Sequence, residues 1–373
     1  MPAEYWPFRI FLHGMNRRQL LALAGGVASR PLFVFSQGMF GAGRVIDEYD
    51  PANIKLSHRM TIKSMSDDDL LFLKQIGVRW ARIEFGEEAS FDFMRATQQR
   101  LDKFGMKIFS GVHYAYRHLD VQLGRPGRDK KIEEYRQFIK DSGKLGIPVA
   151  NYDFHPGNTY TTAEVTTPRG YKAREFKLDD FRSKAEKQMF DREYSADDIW
   201  ANYTYFMKAV LPVAAEANVK LALHPDDPPV EKMNGVAKVF THYEGYKRAE
   251  QIAAGSKHWG LTFCVGTWSE GGTKMGKNVF EMIRDFGGRG KIIDIHFRNV
   301  SSPMPQFVET FPDEGYMDMY QVMKSLRQVK FNGTIVPDHV PQLAGDSGIR
   351  RAGTAYCVAY MRALLRRANE EVG

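Results

Sequence analysis

The chain has 373 residues, of which 43% are hydrophobic and 26% charged, so it can bury a large core and is neither disordered nor fibrous. Its formal net charge is +7, but Lys and Arg are interleaved with Asp and Glu, which favours an anionic small substrate over nucleic acid. Two cysteines, Cys264 and Cys357, argue against a disulfide framework, and after the N-terminal region no segment approaches the ~20 apolar residues of a membrane span.

The N-terminal region carries paired arginines, Arg17 and Arg18, in front of the weakly apolar run from Ala22 to Ala28. This is the form of a twin-arginine export signal, with Met15 as a start site, and it predicts a periplasmic protein. The alternative is a frayed amphipathic segment at the start of a cytoplasmic enzyme. We therefore separate a leader, residues 1–45, from a single domain, residues 46–373.

Beyond the leader, extended apolar segments alternate with helical patterns. The predicted strands are Asn53 to Met60, Val78 to Phe85, Lys107 to His113, Pro148 to Phe154, Val219 to His224, Leu261 to Gly266, Ile292 to Val300 and Thr334 to His339. The predicted helices are Ser66 to Ile76, Asp92 to Phe104, Asp129 to Leu145, Ala196 to Ala217, Tyr243 to Ala254, Lys277 to Phe286, Asp318 to Val329 and Gly353 to Asn369. Strand followed by helix, about eight times, predicts an α/β fold of the TIM (β/α)8 barrel type. An open doubly wound sheet is the alternative.

Two polar stretches interrupt this regularity, at about residues 157–196 and 301–318. Both follow the carboxyl end of a predicted strand and are too long for ordinary connections, so they are interpreted as lids or subunit contacts. Such excursions are compatible with a homodimer or a larger homo-oligomer.

Polar residues stand at the ends of four later strands. They are His224, Cys264, His296 and the pair Asp338 and His339. In a barrel the strand ends point to one shared mouth, so these groups can meet and bind one divalent metal ion. A thiolate favours zinc or iron over magnesium, and the carboxylate permits manganese. Taken singly, each histidine could instead be a hydrogen-bonded structural residue and the cysteine a small buried hydrophobe.

Several motifs together resemble the mannonate dehydratase family. They are HPDDPP at 224–229, LTFCVG at 261–266, IHFRNV at 295–300, FVE at 307–309, MDMY at 317–320, PDH at 337–339 and, upstream, LGRPGRD at 123–129 and the run through Tyr135 to Phe154. The resemblance covers about residues 50–365. It implies a xylose-isomerase-like barrel, a Mn²⁺-type divalent site, with Fe²⁺ or Zn²⁺ as alternatives, and removal of water from a sugar acid. It also implies that His224, Cys264, His296 and Asp338 are the metal ligands and that His339 is an acid/base residue.

The implied reaction is the dehydration of D-mannonate, or a related aldonate, to 2-keto-3-deoxy-gluconate. The proton α to the carboxylate is only weakly acidic, so a cation must stabilise the enediolate and a positioned acid must assist the departing hydroxide. The alternatives are a sugar isomerase or epimerase that uses the same metal site, and an exported sugar-acid binding protein without turnover.

Other residues are candidates for substrate contacts. Arg298 lies two residues beyond His296 and therefore on the same face of a strand, where it could clamp a carboxylate. It is assigned to catalysis, with His339, and to substrate binding; an ion pair with Glu309 or Asp226 is the alternative.

His113, at the end of the third strand, is expected to contact substrate hydroxyls or to be structural. Asp226 and Asp227 could orient His224 or bind hydroxyls, although the neighbouring prolines are equally typical of a structural turn. Glu309 is also assigned to substrate binding.

The chain departs from the family pattern at two places. The family supplies a catalytic tyrosine from a glycine-rich stretch after its Pro-Asp-His, whereas here the sequence GDSGIRRAG occupies 345–353 and the first tyrosine, Tyr356, is expected to lie in a helix. After the fourth strand, HPGNTY at 155–160 stands in place of a Trp-Thr-Arg stretch. The groups around the substrate are therefore expected to differ more than the metal ligands.

Overall fold

A computed structural model of the protein describes residues 50–156, 159–185 and 187–373. The predicted leader lies outside the described residues. In chain order the strands are β1 (Lys55–Met60), β2 (Trp80–Gly86), β3 (Lys107–His113), β4 (Val149–Tyr152), β5 (Ala163–Thr166), β6 (Lys172–Lys177), β7 (Lys220–Leu223), β8 (Lys232–Met233), β9 (Val236–Ala237), β10 (Trp259–Cys264), β11 (Ile292–His296), β12 (Asn299–Val300), β13 (Gln306–Thr310) and β14 (Thr334–Val336).

Eight of these strands close into a parallel barrel in the order β1-β14-β11-β10-β7-β4-β3-β2. Each predicted strand supplies one of them, so the predicted barrel is confirmed and the open sheet is wrong. The barrel closes where β1 pairs in parallel with both β14 and β2. Strands β4, β10 and β11 are buried along their whole length, as expected for a sheet covered by helices.

Helices cover the outside of the barrel. They are α1 (Asp67–Gln75), α2 (Phe91–Asp102), α3 (Leu119–Gln122), α4 (Arg128–Lys144), α5 (Leu178–Ala185), α6 (Ala196–Glu216), α7 (Tyr243–Ile252), α8 (Val265–Gly271), α9 (Val279–Met282), α10 (Met319–Gln328) and α11 (Arg351–Val372). Capping boxes start α1 at Ser66 and α6 at Ser195, where each serine accepts a hydrogen bond from the third helical N–H. No helix in the described part of the chain is long and apolar enough to span a membrane.

The two polar excursions form a second sheet. It has four antiparallel strands in the order β12-β13-β6-β5, so the first excursion pairs with the second through β6 and β13. The strand predicted from Ile292 to Val300 is therefore divided: the chain leaves the barrel after His296, and Asn299–Val300 joins the second sheet. A period-2 pattern cannot show this division, because both parts are extended and buried.

Candidate functional site

The predicted metal ligands meet at the carboxyl end of the barrel. Cys264 ends β10 and is the register partner of His296 at the end of β11. One donor atom from each of His224, Cys264 and His296 lies within 4.8 Å of the others. Nε2 of His224 is 3.2 Å from Nδ1 of His296, which is 3.4 Å from Oδ2 of Asp338. All four residues predicted as ligands are thus gathered at one place.

The protonation states of these groups suit a cation. Burial lowers the pKa of His224 and of His296, which favours their neutral forms. Nδ1 of His224 donates to the Pro225 carbonyl, so its Nε2 offers a lone pair, whereas Nε2 of His296 accepts from Arg82 and a metal ion at Nδ1 would have to displace the ring proton. Burial alone would raise the pKa of Asp338, but His339 and His296 lower it well below its usual range. Burial raises the pKa of the Cys264 thiol to about 12, so a metal ion would have to displace its proton.

A cavity of about 580 Å³ opens beside these donors. Its lining is polar and rich in arginine and histidine. The lining residues are Arg59, Thr61, Arg82, Arg117, Tyr152, Asp153, His155, Thr159, Arg174, His224, Asp227, His296, Asp338 and His339. A cavity of this size and charge can hold a small anion with several hydroxyl groups.

His339 lines this cavity and is held by a buried carboxylate. Its backbone φ is +47°, a left-handed conformation that costs a residue other than glycine about 1 kcal/mol or more. Its Nδ1 is 2.7 Å from Oε1 of Glu309. Burial alone would raise the pKa of Glu309, but the positive charges of His339, Arg298 and Arg174 lower it below its usual value. Glu309 is therefore a carboxylate. A carboxylate can only accept, so Nδ1 of His339 donates the hydrogen bond to Glu309. Nε2, 3.9 Å from Oδ2 of Asp338, is the ring nitrogen available for proton transfer.

Arg298, predicted to bind a substrate carboxylate, does not line the cavity. Its side chain is 1% exposed, and it lies beneath the cavity rather than in its lining. It forms ion pairs with Asp227 at 3.0 Å, Glu309 at 3.2 Å, Asp338 at 3.3 Å and also Glu270. An ion pair with Glu309 is the alternative role that the sequence suggests for Arg298. The structure contains that ion pair and three more, with Asp227, Asp338 and Glu270.

The motif glycine Gly266 is explained by the same arginine. A Cβ at Gly266 would lie 2.6 Å from Nε of Arg298, closer than van der Waals contact allows. Only glycine therefore lets the chain after β10 pass over the guanidinium group.

The structure places three further residues predicted to contact substrate, Asp226, His113 and Glu309, outside the cavity lining. Asp226 is buried away from the cavity, where Oδ2 accepts the Phe240 N–H at 2.8 Å and Oδ1 lies 3.3 Å from Nζ of Lys238. His224 is oriented by the carbonyl of Pro225, at 2.8 Å, and not by an aspartate.

His113 also contacts protein groups rather than the cavity. Its ring stacks on Phe138 with 5.4 Å between centroids, and its Nδ1 accepts the Ala115 N–H. Glu309 contacts His339 and Arg298 instead of lining the cavity. Of the predicted acidic contacts only Asp227 faces the cavity, and it is also paired with Arg298.

The cavity also contains charged residues that sequence reasoning did not select. Arg117 lies 2.7 Å from Asp153, which is also 3.2 Å from Nε2 of His155. Burial raises the pKa of Asp153, but Arg117 and His155 lower it well below the usual range. Asp153 and His155 directly follow β4, so their position after a strand end was a usable signal.

Two more arginines reach the cavity from β1 and β2. Nε of Arg59 is 2.9 Å from Oε1 of Glu84, and Nη1 of Arg82 is 2.8 Å from Nε2 of His296. Arg82 and Glu84 alternate with Ile83 and Phe85. Charged residues inside such a buried strand were a second signal.

Tyr356 lies in α11, as expected from the sequence, and away from the cavity. Its hydroxyl donates to Oδ2 of Asp313 at 2.6 Å, and its side chain is 37% exposed. Tyr152 is a cavity-lining tyrosine, but its hydroxyl is hydrogen-bonded to Tyr203 and to the Trp259 indole.

The closed parallel barrel, with histidine, thiol and carboxylate groups at its strand ends, has the fold of the xylose-isomerase-like TIM barrels. A xylose isomerase domain protein from Planctomyces limnophilus superimposes with a TM-score of 0.57 at 10% identity, covering 84% of this chain and 98% of that one, which supports the fold alone. The chain belongs to the D-mannonate dehydratase (UxuA) family, a family of hydro-lyases, whose model matches residues 74–192 and 171–371. This confirms the resemblance seen in the motifs.

Individual relatives agree with this membership. A mannonate dehydratase from Streptococcus suis (strain 05ZYH33) is 33% identical over 255 residues, covering 61% of this chain and 68% of the relative. The crystal structure of mannonate dehydratase from Streptococcus suis serotype2 superimposes with a TM-score of 0.72 at 27% identity, covering 85% of this chain and 96% of that one.

Proposed function

We propose that the protein is a metal-dependent sugar-acid dehydratase that converts D-mannonate, or a closely related aldonate, to 2-keto-3-deoxy-gluconate and water. The observation that carries the proposal is the convergence of His224, Cys264, His296 and Asp338 beside an arginine-rich cavity. Family membership supports the reaction class.

The donor set fits a divalent cation. The donors are two imidazoles, one carboxylate and one thiol; Cys264, His296 and Asp338 are buried and His224 is half-buried. We propose Mn²⁺ as the ion, with Fe²⁺ and Zn²⁺ as alternatives, because the mixed N, O and S donors suit each of these ions. When bound, the ion would supply positive charge that stabilises the enediolate formed from the substrate.

The chain's own residues supply proton transfer and orientation. His339 lines the cavity and Glu309 fixes its Nδ1, so Nε2 is the nitrogen that can move a proton at the substrate's C2 or C3. The arginines of the lining attract the acid and orient it by charge-assisted hydrogen bonds. The balanced reaction removes the proton from C2 and hydroxide from C3, and the resulting enol tautomerises to the 2-keto acid.

Product analysis tests this proposal. We expect the purified, Mn²⁺-loaded protein to release a 2-keto-3-deoxy acid from D-mannonate within a panel of aldonates, measured by mass spectrometry and a 2-keto acid assay. Proton exchange at C2 without loss of water would instead identify an isomerase or epimerase. Absence of both reactions in protein with a full complement of metal would contradict the proposal.

The metal site gives a separate prediction. Cys264→Ser should lower the affinity for Mn²⁺ by at least about 10-fold, since a thiolate ligand is replaced by a poorly coordinating hydroxyl. Metal content after equilibration in a metal-ion buffer, measured by plasma mass spectrometry, checks this. Cys357→Ser is the matched control, because Cys357 is also buried but packs with Tyr171 and Phe311 in a separate cluster. Equal metal content in both variants would remove Cys264 from the ligand set.

A further inference from the structure

Four arginines line the cavity: Arg59, Arg82, Arg117 and Arg174. The first three already contact a carboxylate or an imidazole within the protein. Arg174 is exposed, and it forms no ion pair with any residue in the described part of the chain. It is therefore the lining arginine whose donors are open to a ligand, and the cavity around it is large enough to contain one.

The position of Arg174 follows from the second sheet. Strand β6 pairs with β13 so that Glu175 faces Val308 and Phe176 faces Phe307. One step further along this antiparallel register, Arg174 stands opposite Glu309. Directly opposed residues point to the same face of a sheet, so Arg174 shares the face on which Glu309 contacts His339.

We propose that Arg174 binds the carboxylate of the sugar acid and makes the site selective for an aldonate over an uncharged polyol of the same length. This inference rests on the proposed function, which it deepens by naming the residue that recognises the acid group. A guanidinium group matches a carboxylate with two parallel hydrogen bonds. The nearby carboxylate of Glu309 feels the charge of Arg174 but is bound to His339 and Arg298, so the Arg174 donors remain available.

The placement also orients the substrate. The carbon that loses its proton is adjacent to the carboxylate, and Arg174 is a cross-strand neighbour of the residue that holds His339. Binding of the carboxylate at Arg174 therefore brings C2 to the side of the cavity where Nε2 of His339 lies. The two excursions act together here: β6 supplies the arginine and β13 supplies the glutamate.

Calorimetry with D-mannonate and D-mannitol tests the inference. Binding is measured in metal-loaded protein carrying His339→Gln, in which the acid is consumed too slowly to disturb the titration. Adding Arg174→Gln should weaken D-mannonate binding by about 10- to 100-fold, the loss typical of a charged hydrogen-bonded pair. D-mannitol binding should stay the same. Adding Arg174→Lys should restore part of the affinity for the acid, because the charge remains and the paired geometry is lost.

Lys172→Gln is the matched control, since Lys172 is an exposed cation two residues earlier on β6 that does not line the cavity. An unchanged D-mannonate affinity in Arg174→Gln, or an equal loss for acid and polyol, would overturn the inference. So would a parent protein that binds both equally. Arg174-dependent selectivity in a protein whose wild type dehydrates no aldonate would support the inference while rejecting the proposed reaction, so the two failures are distinguishable.

Discussion

His339→Gln is expected to lower kcat for aldonate dehydration by about 10²- to 10⁴-fold, the range observed when a general acid/base is removed. Gln occupies a similar volume and can still contact Glu309, but it cannot accept or release a proton near neutral pH. The metal content should not change. Steady-state kinetics on metal-matched samples check the prediction, and His242→Gln is the control because His242 is exposed and does not line this cavity.

Glu309→Gln separates positioning from chemistry. Because Glu309 fixes Nδ1 of His339 and does not line the cavity, its replacement should lower kcat and leave KM nearly unchanged. An effect confined to KM would place Glu309 in substrate binding after all.

For the His339→Gln variant, activity close to wild type would assign proton transfer to another group, such as His155 in the same lining.

Arg298→Met is expected to destabilise the folded protein by about 3–5 kcal/mol, as found when one partner of a buried ion pair is removed. The side chain is 1% exposed and compensates buried carboxylates from four separate segments, including Asp227 and Glu270. Without it these groups would have to take up protons or remain uncompensated. The pKa of Glu270 is already raised well above its usual range, mainly by burial. Protonation of Glu270 can therefore do little more to offset the loss of the Arg298 charge.

The matched control for this loss is Arg289→Met. Arg289 also pairs with two carboxylates, Glu250 and Asp285, but it lies at the surface with its side chain 39% exposed. Solvent screens such pairs, so the expected loss is about 1 kcal/mol or less. Denaturant unfolding of both variants with metal present measures the difference. Equal losses would show that the Arg298 cluster is no more important for stability than a surface ion pair.

The barrel was predictable because its information is local. Each strand is recognisable in the sequence as a short apolar run, and each helix by its periodicity and its caps, such as Ser66 and Ser195. The residues gathered in the candidate metal site were predictable for a related reason. A parallel barrel brings all its strand ends to one edge, so a polar residue at such an end, like Cys264 or His296, is placed without knowledge of its neighbours.

Substrate contacts were predicted less well, because strand alternation assigns a face but not a neighbour. Arg298 does lie on the face predicted for it, yet carboxylates from distant segments surround it there and it does not reach the cavity. The sequence of the two polar excursions gave even less indication of which segments pair with each other. Nothing near Arg174 indicates that β6 pairs with β13, more than 120 residues later in the chain.

The sequence by itself therefore determined the fold class, the family and the set of donor residues at the strand ends, since these depend on periodicity, motif and residue type. Tertiary structure alone decided which charged groups line the cavity. Among the lining arginines, Arg174 differs from Arg59, Arg82 and Arg117 in forming no direct ion pair or hydrogen bond through its side chain within the described residues. The physical reason is that an ionic group's role depends on the charges within a few ångströms of it, and here those charges come from segments far apart in the chain.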